Sequence, residues 1–273
     1  MKIQRLSTVT WKFFSPSGKI VVVDPWLTND PLWPVKERSR EKLKEIDVVA
    51  VTHGHFDHSS GIMEIAQANE NVLVIAQFEY AFSLLAQGVK NVAPTNYGAT
   101  VDFQGIKFSM VPAWHTSTVM DPEGKPIPVG MPAGYVIQFE NGLKVYVSGD
   151  TGLTADMKTV VAEFFKPDIS ILPVIGMFMM EPEQAAYAAN MIGSKYVIPA
   201  HDFPKELSEA ANPQAYSEFV KQFPVQDTYD KVKVFTRIME KEYPHIKTIY
   251  IPIGGSAEVG YESDDGGPWS RDS

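Results

Sequence analysis

The 273-residue chain contains no cysteine. That excludes disulfides, a thiol nucleophile and thiolate metal ligands, so any bound metal must be held by nitrogen and oxygen. Positive charge is in deficit: 24 Lys and Arg against 33 Asp and Glu leave a net charge of −9. Such a surface is not built to grip a phosphate backbone or an anionic lipid, so no nucleic acid or membrane partner is expected. No apolar run approaches the ~18 residues of a membrane span, and the segment from Met1 to Leu6 lacks the basic-then-apolar layout of a signal peptide. A soluble, cytoplasmic protein is the expectation. Histidine is scarce too, with six in the chain. Where those six fall therefore carries information.

What is present is ample core material, 44% hydrophobic residues, enough for one large domain expected over residues 1–262. The tail 263–273 is Gly-, Asp- and Ser-rich and is expected to be disordered. Ile3 to Phe14 alternates in β fashion, and Ser15-Pro16-Ser17-Gly18 turns it into the Lys19 to Val23 strand. Leu27 to Arg40, with Pro31, Trp33 and Pro34, reads as an irregular loop of the size that covers something. Strands and helices then alternate: a strand ending at Val51, a helix from Gly61 to Ala68 capped by Ser59-Ser60, a strand at Val72 to Ala76, a helix at Phe78 to Leu85, and a strand at Val89 to Ala93. A second strand-rich run follows at Asp102 to Val111, Gly134 to Phe139 and Leu143 to Ser148, with the long Pro112 to Ala133 loop inside it. Helices are expected at Thr154 to Phe165, at Pro182 to Ile192 with proline in its first turn, and around Val232 to Met239; strands are expected at Asp168 to Pro173, Lys195 to Pro199 and Ile246 to Ile253.

Thr52-His53-Gly54-His55-Phe56-Asp57-His58 follows the apolar run Val48 to Val51. Three imidazoles and a carboxylate in six residues is metal-ligand density, suited to zinc, manganese or iron. His53 and His55 can share one ion, while Asp57 and His58 point to a second position. A merely histidine-rich surface loop is the plain alternative, but the chain has no tag-like histidine run. His115 follows the strand ending at Val111, Asp150 ends the Val145 to Val147 strand inside Ser148-Gly149-Asp150-Thr151-Gly152, and His201 follows Tyr196 to Ala200. Any one of these would more often be structural. Together, five of six histidines and a glycine-framed aspartate lie just beyond C-terminal strand ends, where α/β-type sheets gather their sites. His245, in Tyr243-Pro244-His245-Ile246, has no such context and reads as structural or surface.

The ordered set, Thr52 to His58, then His115, Ser148-Gly149-Asp150-Thr151 and Pro199-Ala200-His201, resembles the metallo-β-lactamase-fold hydrolases and their HxHxDH motif with a later His, Asp and His. Gly130-Met131-Pro132-Ala133-Gly134-Tyr135, Gly149 to Leu153 and Leu172-Pro173-Val174-Ile175-Gly176 are similar to the branch of UPF0173 proteins and ascorbate-6-phosphate lactonases. The resemblance runs from Met1 to about Gly255. It implies an α+β fold, an αββα sandwich of two mixed sheets flanked by helices, with metal at one edge. It also implies that His53, His55 and His115 hold one divalent ion, that Asp57, His58 and His201 hold a second, and that Asp150 bridges them. Zinc is the first expectation, with manganese or iron as alternatives. A hydroxide shared by two ions ~3.5–4 Å apart would then attack, and no serine or cysteine nucleophile would be needed. Asp57 would orient that hydroxide or take its proton, so Asp57 and Asp150 are the catalytic candidates.

Four positive charges against three returned by Asp57, Asp150 and the hydroxide leave a cationic floor, which favours a small anionic, ester, lactone or phosphoester substrate. Asp24, at the end of Val21-Val22-Val23, is the candidate partner for a ligand histidine, or else a turn cap. Trp33, Trp114, Phe178, Met179 and Met180 are candidates for an apolar substrate wall, or else core residues. A di-iron oxidoreductase would usually carry a carboxylate where His55 stands and would need a flavin domain. A nuclease of the same fold would need an added RNA-binding region. Self-association into a homo-oligomer is compatible with the sequence. Departures from the family pattern fall between His201 and Ile249, which looks longer, and at Met177 to Met180.

Overall fold

The computed structural model describes residues 1–223 and 225–259. The expected disordered tail, and the last three residues of the expected domain, lie outside the described residues.

The chain lays down β1 (Lys2–Arg5), β2 (Trp11–Phe14), β3 (Ile20–Val23), β4 (Val48–Ala50), β5 (Leu73–Gln77) and β6 (Val92–Thr95), side by side in that order. The first three pair antiparallel, and β3 to β6 pair parallel. It then crosses to a second sheet through β7 (Thr100–Phe103) and β8 (Ile106–Pro112). A separate two-stranded ribbon, β9 (Thr118–Met120) and β10 (Pro126–Pro128), interrupts the long loop. β11 (Ala133–Gln138), β12 (Lys144–Val147), β13 (Ile169–Pro173), β14 (Tyr196–Ala200) and β15 (Lys247–Thr248) complete the second sheet, and β16 (Ser256–Glu258) returns to the first, against β1. Both sheets are mixed.

Side-chain alternation explains why these strands read as unbroken apolar runs. Val21, Val23, Val48, Ala50 and Ile75 face Phe108, Tyr135, Ile137, Val145 and Ile171 of the other sheet in one shared cluster. Val22, Val49 and Val74 turn the other way, onto Leu43, Ile62, Ile65 and Leu84. Those residues come from α1 (Arg40–Lys44), α3 (Ile62–Ala68) and α4 (Phe78–Ala86); between the first two lies the single-turn α2 (Phe56–Ser59). On the far side Val136, Tyr146, Leu172 and Val197 meet Met157, Ala185, Ala189, Tyr216 and Phe235. These belong to a π-helical segment (Met157–Phe165), α5 (Pro182–Ile192), α6 (Pro213–Gln222) and α7 (Lys231–Glu242). A strand buried on both faces has no polar side to show. The outcome is helix, sheet, sheet, helix: the α+β sandwich expected. Among the described residues no helix is long and apolar enough to cross a membrane.

Several expectations are corrected. The Ile3 to Phe14 run is two strands, because the chain turns where the Leu6 N–H donates to Thr10 O at 2.9 Å. Ser59 and Ser60 do not cap α3; the Ser59 hydroxyl instead donates to the carbonyls of Gly54 and His55, at 3.1 and 2.9 Å, stiffening the motif. Only Lys247–Thr248 of the expected last strand pairs. Trp33 is 1% exposed, packed in one cluster with Leu27 and Leu43, and Met180 is fully buried, with Met179 beside it, under α5. Their large apolar bodies sit in the core layers rather than on the surface.

Candidate metal centre

β3, β4, β8, β12 and β14 are each followed, within three residues of their last residue, by a polar side chain of the same cluster: Asp24, His53, His115, Asp150 and His201. Two backbone devices press the loops together. Gly149 (φ +61°) passes so close to Thr52 that a Cβ would lie 2.7 Å from the threonine Cβ, and a Cβ on Gly54 would meet Val129 at 2.4 Å. Asp24 and His201 themselves sit at φ +52° and +70°, which non-glycine residues adopt where surrounding structure over-determines them.

The seven candidate ligands converge. His53 Nε2 lies 3.0 Å from His55 Nδ1, which lies 3.3 Å from His115 Nε2. Asp57 Oδ2 lies 3.7 Å from His58 Nε2 and 3.5 Å from His201 Nε2. Asp150 reaches across both halves, to His58 at 3.4 Å, His201 at 3.3 Å and His115 at 3.6 Å. Donors on one tetrahedral zinc, at metal–nitrogen distances of ~2.0–2.1 Å, stand ~3.3 Å apart. The observed separations match that spacing. Three donor groups have atoms within 4.8 Å of one another: His53/His55/His115, His53/His58/Asp150 and Asp57/His58/His201. The buried Nε2 atoms of His58 and His201 have no hydrogen-bond partner among the described residues. Nitrogen and carboxylate donors facing inward in this way fit divalent cations. His245, by contrast, is exposed in the turn after α7.

Asp24 is 1% exposed, and one oxygen accepts from Thr52 N at 2.7 Å. Its other oxygen accepts from Thr52 Oγ1 at 2.7 Å and pairs with His58 Nδ1 at 2.9 Å. Thr52 Oγ1 in turn lies 3.0 Å from His53 Nδ1. One carboxylate thus orients two imidazoles. Thr52 was missed as a site residue in the sequence, although it stands inside the motif; its hydroxyl links Asp24 to His53. Ser117, whose Oγ accepts from Gly54 N at 3.0 Å, had no sequence signal.

The titration pattern follows from burial and mutual charge. Burial drives His53, His55 and His115 below the ordinary imidazole value, so they stand neutral with lone pairs available. Burial also works against ionising Asp150 and Asp57, but the neighbouring His58 and His201 outweigh it and hold both carboxylates below the usual range. The same carboxylates lift His58 well above its ordinary value and His201 to about 9, against the opposing effect of burial. Asp24 is raised, since burial exceeds the pull of His58 and Thr52. The ionised carboxylates of Asp57 and Asp150 thus hold positive charge on His58 and His201, which a bound cation would replace.

Of the candidate wall residues, Trp114 and Phe178 are 66% and 72% exposed. The Trp114 backbone N–H donates to Thr151 Oγ1 at 2.9 Å, and the Phe178 backbone lies close enough to His115 to work against the lowering of its pKa. Both flank the His115 side of the cluster.

Two facing mixed sheets with five histidines and two aspartates gathered at one edge define the beta-lactamase superfamily, and residues 19–201 match the family model described as the beta-lactamase superfamily domain. Within it, the chain is 38% identical over 226 residues to a UPF0173 metal-dependent hydrolase of Methanobrevibacter smithii, covering 81% of this chain and 90% of the relative. A UPF0173 metal-dependent hydrolase of Rubrobacter xylanophilus is 35% identical over 203 residues, 73% of this chain and 81% of the relative. The chain belongs to the UPF0173 metal-dependent hydrolase family. In fold it is similar to Igni18, a novel metallo hydrolase from Ignicoccus hospitalis, with a TM-score of 0.76 over 96% of this chain and 99% of that one, at 23% identity.

Proposed function

We propose that this protein is a dinuclear metal-dependent hydrolase of small ester, lactone or phosphoester substrates, its residues 1–262 acting as one domain. The observation that carries this reading is Asp150, whose carboxylate stands within 3.3–3.6 Å of a histidine from each of the two outer donor groups. His53, His55 and His115 would hold one cation, Asp57, His58 and His201 the other, with zinc as the first expectation and manganese or iron as alternatives. When bound, divalent cations supply Lewis-acid polarisation of the attacked group and water ionised near neutral pH.

The chain's own residues supply the rest. Asp24 and Thr52 fix the tautomers of His58 and His53 by engaging Nδ1, so Nε2 is the inward donor of each. Asp57 is held ionised and its side chain is 17% exposed, so it can take the proton of an attacking water at a carboxylate oxygen. Trp114 and Phe178 present apolar surface beside a cationic floor, which favours a substrate with an apolar or planar body and one anionic or ester head.

The test is a screen of zinc- and manganese-loaded protein against lactones, aryl esters and phosphodiesters, repeated after chelation. Turnover that vanishes with chelator and returns with metal is expected. Turnover indifferent to chelation, or none across all three classes, would contradict the proposal.

A further inference from the structure

His201 differs from its neighbours in how it is held. His58 is tethered at Nδ1 by Asp24, and His53 at Nδ1 by Thr52. The buried Nδ1 of His201 has no partner among the described residues. A ligand histidine is ordinarily oriented through its second ring nitrogen; here the orientation must come through the backbone. That backbone is at φ +70°, and its N–H donates to Thr8 O at 2.9 Å.

The same Thr8 carbonyl accepts from Arg5 Nη2 at 3.1 Å. Arg5 is completely buried. Its Nη2 also forms an ion pair with Asp202 Oδ1 at 2.7 Å and donates to the Asp202 carbonyl at 3.2 Å. Nε donates to Ser7 O at 3.0 Å, Nη1 to Ile251 O at 3.3 Å, and the guanidinium lies over the Trp11 ring. Tyr250 Oη donates to the other Asp202 oxygen at 3.0 Å. One guanidinium therefore ties the β1–β2 turn, the loop leaving β14 and the chain after β15 at the peptide unit that aims His201. A planar fork of five donors can do this; a lysine ammonium cannot. Arg5, Asp202 and Tyr250 all lie outside the 19–201 stretch matched by the superfamily model.

We propose that Arg5, acting through Asp202 and Tyr250, is the positioning residue for His201, and so sets the affinity of the Asp57/His58/His201 half of the centre independently of the other half. This rests on the metal-centre reading above. The experiment titrates chelator-stripped wild type, Asp202→Asn and Tyr250→Phe with Co²⁺ by calorimetry, and records the histidine-ring ¹H–¹⁵N spectrum of each stripped protein. Tyr250 is 49% exposed, so its variant keeps the fold. Expected are a loss of about 10-fold or more in one binding step for Asp202→Asn and a smaller loss in the same step for Tyr250→Phe. The other step should be unchanged, and the His201 ring signals should shift or broaden while those of His58 stay in place. Variants that titrate and resonate as wild type would overturn the proposal. So would two binding steps weakened equally, in proportion to a fall in Tm. A stripped wild type that takes up no Co²⁺ would sink the metal-centre reading, while the ring spectrum would still decide whether Asp202 positions His201.

Discussion

Asp24 and His58 meet at 2.9 Å, carboxylate oxygen to Nδ1, with both side chains 1% exposed. No solvent screens the pair, and Nε2 is left as the ring's one inward-facing donor. Because Asp24 also holds Thr52, and Thr52 holds His53, one carboxylate connects both halves of the cluster.

Replacing Asp24 by alanine leaves His58 Nδ1 buried without its acceptor and frees both rings to rotate. Metal affinity and kcat/KM should each fall by about 10- to 100-fold, with Thr52→Val reproducing a smaller part of the loss. Equilibrium dialysis against a competing chelator checks the first number. Affinity within a factor of two of wild type would assign Asp24 to the turn alone.

The buried imidazoles predict opposite pH dependences for stripped and loaded protein. His201 is raised to about 9, above its unfolded value near 6.5, so its contribution in the stripped protein is complete below pH ~6.5 and is lost as pH rises through ~9. His58 acts in the same direction. The stripped Tm should therefore drop by several degrees from pH 6.5 to 9. Cation binding needs neutral imidazoles, so metal affinity, and the metal-induced gain in Tm, should grow over the same interval. Differential scanning calorimetry with chelator and with Zn²⁺ reads both; parallel curves would contradict the assigned charges.

Much of the architecture could be read from sequence because its causes are local. Val21-Val22-Val23 and Val48-Val49-Ala50 are apolar on both faces since one face meets the second sheet and the other the helices. The HxHxDH stretch is visible because its ligands are neighbours in the chain. What stayed hidden depends on distant contacts: Arg5 meets Asp202 across 197 positions, and nothing in Lys2 to Leu6 signals it. Trp33 and Met180 look no different in sequence from Trp114 and Phe178; only packing separates core from rim. α6 was overlooked although Asn212, whose side chain accepts from Ala215 N, and Pro213 form an ordinary helix start.

That separation can be checked directly. Trp114→Ala and Phe178→Ala should raise KM several-fold for aryl substrates with little change in Tm, as rim residues would. Met180→Ala and Trp33→Ala should cost about 2–5 kcal/mol of stability through the cavities they leave, with KM of the surviving fold unaltered. Urea melts alongside aryl-ester kinetics distinguish the pairs. A Met180 variant with normal stability and a raised KM would return that residue to the substrate wall.

The most direct measurement is the metal stoichiometry of the purified protein, by elemental analysis and native mass spectrometry, for wild type, Asp150→Ala and His245→Ala. Wild type and His245→Ala should each carry close to two divalent ions per chain. Asp150→Ala should lose at least one of them, together with turnover, while keeping a cooperative melt, because the central layer between the sheets does not involve that side chain. Two ions and activity within a few-fold of wild type in Asp150→Ala, or no bound ion in the wild type, would contradict a centre built around this aspartate.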